Sequence, residues 1–170
     1  MTLRMGPLTW LRKRSATDSL CCDSGLFTTY LVFKENFFPY LDYNYFHYQG
    51  DEYFADRLDP LNWPHTYMIY TPYSEESQQF SRTASILSFM DMEQCRKWTD
   101  LPHDQRGAEY ADFKALKANQ LLDEVEKRFP RIREGIEQYY ISTPATFKDF
   151  TGTPDGTGYG ILKDCHDPVR

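Results

Sequence analysis

Leu26 to Lys34 reads LFTTYLVFK, and the fold of this chain follows from how that stretch is read. Aromatic and β-branched residues dominate it, which suits a pleated, half-buried surface. Its length is that of a strand rather than a core helix. Three further runs share the texture. Tyr43 to Gln49 is YNYFHYQ, Thr66 to Thr71 is TYMIYT, and Thr83 to Met90 is TASILSFM. The third run stops at Pro72, which has no N–H to give to a ladder. Between the first two lies Glu35 to Asp42, punctuated by Pro39. That reads as a loop joining two antiparallel strands.

Helical signals begin after Met90. Asp91 reads as an N-cap with Glu93 in the first turn, opening a short helix to about Trp98. From Gly107 to Phe129 the apolar residues Tyr110, Phe113, Leu121, Leu122, Val125 and Phe129 recur at helical spacing. Pro130 ends that helix. Gln138 to Ser142, QYYIS, reads as a last strand, broken by Thr143-Pro144. A short turn and the glycine-rich TGTPDGTGYG, Thr151 to Gly160, follow. Strands grouped together without intervening helices predict an α+β fold. Its sheet is mixed and mainly antiparallel, covered by one long amphipathic helix and shorter ones. Residues 1–24 read as an irregular N-terminal segment, with a helical turn at Leu8 to Arg14. Residues 25–170 read as one α+β unit.

Composition narrows the function classes. The 170 residues are 41% hydrophobic and include 13 Tyr, 12 Phe and 3 Trp. That supports a real core and is not the profile of a disordered chain. A pocket for a long flat ligand would also use these aromatics, though an aromatic core is the first reading. The net charge is −6, and the basic cluster Arg12-Lys13-Arg14 reads as a solvated end. Nucleic-acid binding, which needs clustered cations on one face, is therefore not expected. No apolar run nears the roughly 20 residues of a membrane helix. A cytoplasmic or membrane-peripheral location, with peripheral membrane contact allowed, is the expectation.

Residue chemistry offers no catalytic set. Cys21, Cys22, Cys95 and Cys165 form no CxxC pair and read as reduced thiols. His47, His65, His103 and His166 lack metal-ligand spacing, so no metal is expected. Asp51-Glu52 and Glu75-Glu76 read as solvated charge. Gly158-Tyr159-Gly160 fits the first half of GxGxxG, but Lys163 stands where the third glycine belongs. A phosphate cradle is thus not predicted. Pro154-Asp155-Gly156 is turn chemistry, and its glycines would also permit a close approach to a ligand.

The stretch YYISTPATFKDFTGTPDGTGYG, Tyr139 to Gly160, resembles a segment of the FAD-dependent phytoene dehydrogenases, carotenoid isomerases and retinol saturases. Thr143, Pro144 and Thr146 match its TPxT. Phe150, Gly152, Pro154 and Gly156 match its aromatic and G-x-P-x-G, and Tyr159 and Gly160 match its YG. Trp98, Arg106-Gly107, Tyr110 to Lys114 and Arg128 to Pro130 are similar to the same family's helical region. The resemblance implies the substrate domain of a Rossmann-type flavoprotein that moves hydride to or from conjugated polyenes. It implies FAD in the full-length family, held mainly by segments this sequence lacks, so the isolated chain is expected to bind none. Its expected partners are an apolar polyene and a missing FAD-binding domain or complementary chain. It places Thr143, Pro144, Thr146, Gly152, Gly156, Tyr159 and Gly160 near substrate or cofactor, and leaves catalytic residues unassigned. A non-catalytic module for an apolar ligand or a protein partner is the alternative.

Overall fold

The computed structural model describes residues 24–50, 58–75 and 78–159. The fold is α+β. Five strands form one sheet: β1 (Gly25–Phe33), β3 (Tyr45–Tyr48), β4 (Thr66–Tyr70), β6 (Thr83–Met90) and β7 (Ile136–Ser142), in the order β3-β4-β6-β1-β7. Two short strands, β2 (Phe38–Pro39) and β5 (Phe80–Ser81), pair separately. Every strand pairing among the described residues is antiparallel.

LFTTYLVFK holds the sheet together from inside. Apolar on both faces, it lies between β6 and β7 rather than at an edge. This corrects the expected pairing of its strand with Tyr43–Gln49. β1 and β3 are not neighbours; β3 pairs with β4. The chain between them does not form a hairpin. It turns at Asn36 in the left-handed region (φ 55°) and lays Phe38 on Phe33, ring centroids 4.6 Å apart and nearly parallel. Burying Phe38 directs the chain into β2 instead of straight back along β1.

Side chains alternate across the pleat, so each strand gives half its residues to each face. One face carries Phe27, Leu31 and Phe33 of β1, Ile86 and Met90 of β6, and Ile69 of β4, all almost fully buried. Helix α1 (Gly107–Arg128) covers it with Ala118, Leu121, Leu122 and Val125. Each of the buried Leu and Val side chains contributes about 1.5–3 kcal/mol by leaving water. The helix ends where Pro130 was read to end it. Arg131 then turns through the left-handed region (φ 69°). Arg133 folds back to Glu126 (2.9 Å), Asp123 and the Asn119 side chain (2.8 Å), fastening the chain to the last turns of α1.

The short helix after Asp91 is present as a 3-10 helix, Met92–Trp98, and Asp91 Oδ1 accepts the Glu93 amide at 2.9 Å. Of the elements not expected, the longest follows β7. Where a turn was read after Thr143-Pro144, the structure has helix α2 (Pro144–Thr151). Its sequence carries the signals: Thr143 caps it, Pro144 stands at its first position, Thr146 completes a capping box and Gly152 closes it in the left-handed region. Ala145 of α2 joins Met92, Cys95, Trp98 and Tyr110 in a second, smaller core.

Candidate functional site

Helix α1 packs on one face of the sheet; on the other, the side chains line up in rows across the strands. Tyr140, Tyr30, Ser85 and Tyr70 make one row. Ser142, Thr28, Leu87, Met68 and Phe46 make the next. Leu26 with Phe89, and Thr66 with Tyr48, make the third. None of these residues is charged. An antiparallel sheet that faces water on one side ordinarily carries charged and polar side chains there. Here Phe46, Tyr48, Tyr70 and Tyr140 are each about half exposed.

The second and third rows floor an open groove, lined by Leu26, Phe46, Tyr48, Met68, Leu87, Phe89 and Tyr159 among others. Ligand sites are likewise largely apolar with a few polar groups. The rings of Phe46 and Tyr48 run parallel at one wall, centroids 6.4 Å apart. Tyr159 leans over Phe89 at 6.2 Å to make the opposite wall. Beneath the floor, the Trp63 indole donates to the Phe89 carbonyl at 2.7 Å and meets Phe27 edge-on.

Of the residues the sequence placed near a ligand, Tyr159 alone lines the groove. Thr143 and Thr146 are spent on the α2 cap: the Thr143 hydroxyl accepts the Thr146 amide and lies 2.7 Å from the Tyr110 hydroxyl. Pro144 starts α2, and Gly152 ends it. Gly156 lies against Pro144, where a side chain would overlap the Pro144 carbonyl. Phe150 is exposed and touches His103 edge-on at 5.5 Å. Gly160 lies outside the described residues, as do Cys21, Cys22, Cys165 and His166. The groove floor was missed as a site. Its signal was present: alternate positions of four strands that lack any charge.

The described residues offer binding chemistry rather than bond-making chemistry. No cluster of His, Cys, Asp or Glu among them is arranged to hold a metal. Cys95 is buried, and burial pushes its thiol up, away from the reactive thiolate. Burial also pushes the Tyr67 phenol up, leaving it protonated beneath its stacking partner His47. A dinucleotide cofactor does not fit these residues. The first turn of α2 is already closed by its own capping box, so its amides are not free for a pyrophosphate. The glycine-rich stretch folds as a turn against Pro144. No helix among the described residues is long and apolar enough to cross a membrane.

Comparison with known proteins gives one named relative. The chain is 31% identical over 78 residues to the all-trans-retinol 13,14-reductase of Danio rerio, a stretch that makes up 46% of this chain and 13% of that protein. The chain thus spans a small part of its relative's length. No family model and no solved structure matches it.

Proposed function

We propose that this chain supplies the substrate-binding part of a flavin-dependent oxidoreductase acting on conjugated polyenes such as retinoids or carotenoids. The observation that carries this reading is the uncharged, aromatic-floored groove on the open sheet face. A polyene is flat, stiff and apolar, so parallel rings and apolar side chains hold it without leaving buried polar groups unpaired. The distant relative, named as a retinol reductase, points to the same substrate class. Flavin would be held by protein outside the described residues, because those residues do not fit it. Within this part of the enzyme, the chain's own work is to bind the chain of double bonds, orient it and keep water from it.

The test is a retinol titration followed by fluorescence. Trp63 sits directly under Phe89, so retinol in the groove should quench tryptophan emission and gain sensitised emission of its own. A parallel FAD titration of this chain should show no flavin uptake. Absence of saturable retinol or carotenoid binding would overturn the reading. A second reading, a non-catalytic module for an apolar ligand or protein partner, draws on the uncharged rows that extend beyond the groove. It is favoured if the chain binds polyene tightly and a version extended at both termini still takes up no flavin.

A further inference from the structure

The wall of the groove formed by Tyr159 is held from a distance. Thr157 forms a single antiparallel bridge to Gly25, and Gly158 lies directly on Leu26, where a Cβ would overlap the leucine side chain. This strap reaches the sheet from α2, and α2 is fixed at two buried points. Thr143, fully buried, shares its hydroxyl hydrogen bond with Tyr110 of α1 at 2.7 Å. Asp149 pairs with the buried Arg106 guanidinium at 2.7 Å, and Arg106 Nε donates to the Trp98 carbonyl at 2.9 Å. The contact of Gly156 with Pro144 leaves no slack between the first residue of α2 and the strap.

We propose that Thr143 and Tyr110 are positioning residues for the groove: their buried hydroxyl pair fixes α2, and through Gly156 and Gly158 it fixes the Tyr159 wall against Phe89. Neither residue lines the groove. Their effect on a ligand is therefore indirect, by holding one wall still. The ligand half of this inference rests on the apolar-groove reading above; the strap half does not.

The experiment compares Thr143→Val, Thr143→Ser and Tyr110→Phe with the parent chain by hydrogen exchange and retinol titration. Thr143→Val keeps the shape and removes the hydroxyl. It should raise amide exchange across Thr157–Tyr159 at least tenfold, with β3 and β4 unchanged. It should weaken retinol binding roughly three- to tenfold, the size of one lost buried hydrogen bond. Tyr110→Phe folds with the smaller change and should move both readouts in the same direction. Thr143→Ser, which keeps the hydroxyl, should restore both. Arg133→Met loosens the far end of α1 and serves as the control: it should lower the melting temperature and move neither readout. Unchanged exchange at 157–159 in Thr143→Val and Tyr110→Phe would overturn the inference, as would an equal response in Arg133→Met. Faster strap exchange in a chain that takes up no polyene would uphold the strap coupling and overturn the ligand reading.

Discussion

One face of the sheet presents Phe27, Leu31, Ile69, Ile86 and Met90 to α1 and buries them almost completely; the other presents Phe46, Met68, Tyr30, Tyr70 and Tyr140 away from α1, partly or half exposed. The two faces are built from similar residue types, and the difference lies in what covers them. On the covered face, apolar character is explained by the fold itself. On the open face it is not, because stability does not require an exposed sheet surface to lack charge. An uncharged surface of this kind suits an apolar ligand or partner, the role proposed for it above. Ranking substitutions on the two faces by what they damage, stability or binding, sharpens that contrast.

The largest expected effect is on the covered face. Leu121 is fully buried between α1 and the sheet. Leu121→Ala should cost about 3 kcal/mol, the transfer term plus the cavity left behind. Denaturant melts measure this directly, and a loss below about 1 kcal/mol would mean that the α1–sheet contact is not the centre of the core. Retinol affinity, corrected for the unfolded fraction, should be unchanged.

Arg133 comes next. It ties the chain after α1 to Asp123, Glu126 and Asn119 and is about one-third exposed. Several charge-assisted bonds converge on one planar group, but solvent screens them. Arg133→Met should therefore cost about 1 kcal/mol. A neutral result would class this arginine with ordinary surface ion pairs.

On the open face the order reverses. Met68 lies mid-row between Leu87 and Phe46 in the groove floor. Met68→Lys places a charge where a polyene would lie. It should change stability by no more than about 0.5 kcal/mol, since the ammonium can reach water, and it should abolish retinol uptake. If Met68→Lys instead unfolds the chain, the open face is part of the core and the contrast between the faces fails.

How far the sequence reached follows from the same physics. The α+β class, the long strands and the limits of α1 were legible because periodicity and Pro130 act locally. The neighbours of β1 were not. Which strands pair depends on contacts such as Phe38 on Phe33, which no local pattern reports. Helix α2 was legible in principle: Thr143, Pro144 and Thr146 are capping chemistry, but they were weighed as a break after a strand. The glycine-rich stretch drew attention as a site, and only Tyr159 of it reaches the groove. Its other members are occupied with caps and close approach. The groove itself is assembled from four strands distant in sequence, so its residues look like ordinary strand alternation until the register is known.

The smallest predicted effect again sets the two faces apart, this time through charge. The covered face accepts a buried cation. Lys117 of α1 is 8% exposed, with Nζ 4.7 Å from the centre of the Trp63 ring, and no carboxylate among the described residues pairs with it. Desolvation lowers its pKa below the ordinary lysine value. Between the lowered folded pKa and the ordinary value, the unfolded chain binds more protons than the folded one. Stability therefore rises with pH across that window. Lys114, lowered by burial and then by Arg106, adds a contribution of the same sign. Tyr67, raised by burial, acts oppositely, but only once unfolded tyrosines begin to ionise near pH 10. Cys95, raised by burial, opposes the lysines between about pH 8 and pH 9.5, so the lysine effect is read as the difference between parent and variant melts over that range. In Lys117→Met the slope of stability against pH should be less positive than in the parent. An unchanged slope would mean that the indole face compensates Lys117 fully. The covered face would then hold a cation at no cost, and the absence of charge from the open face would stand out more sharply still.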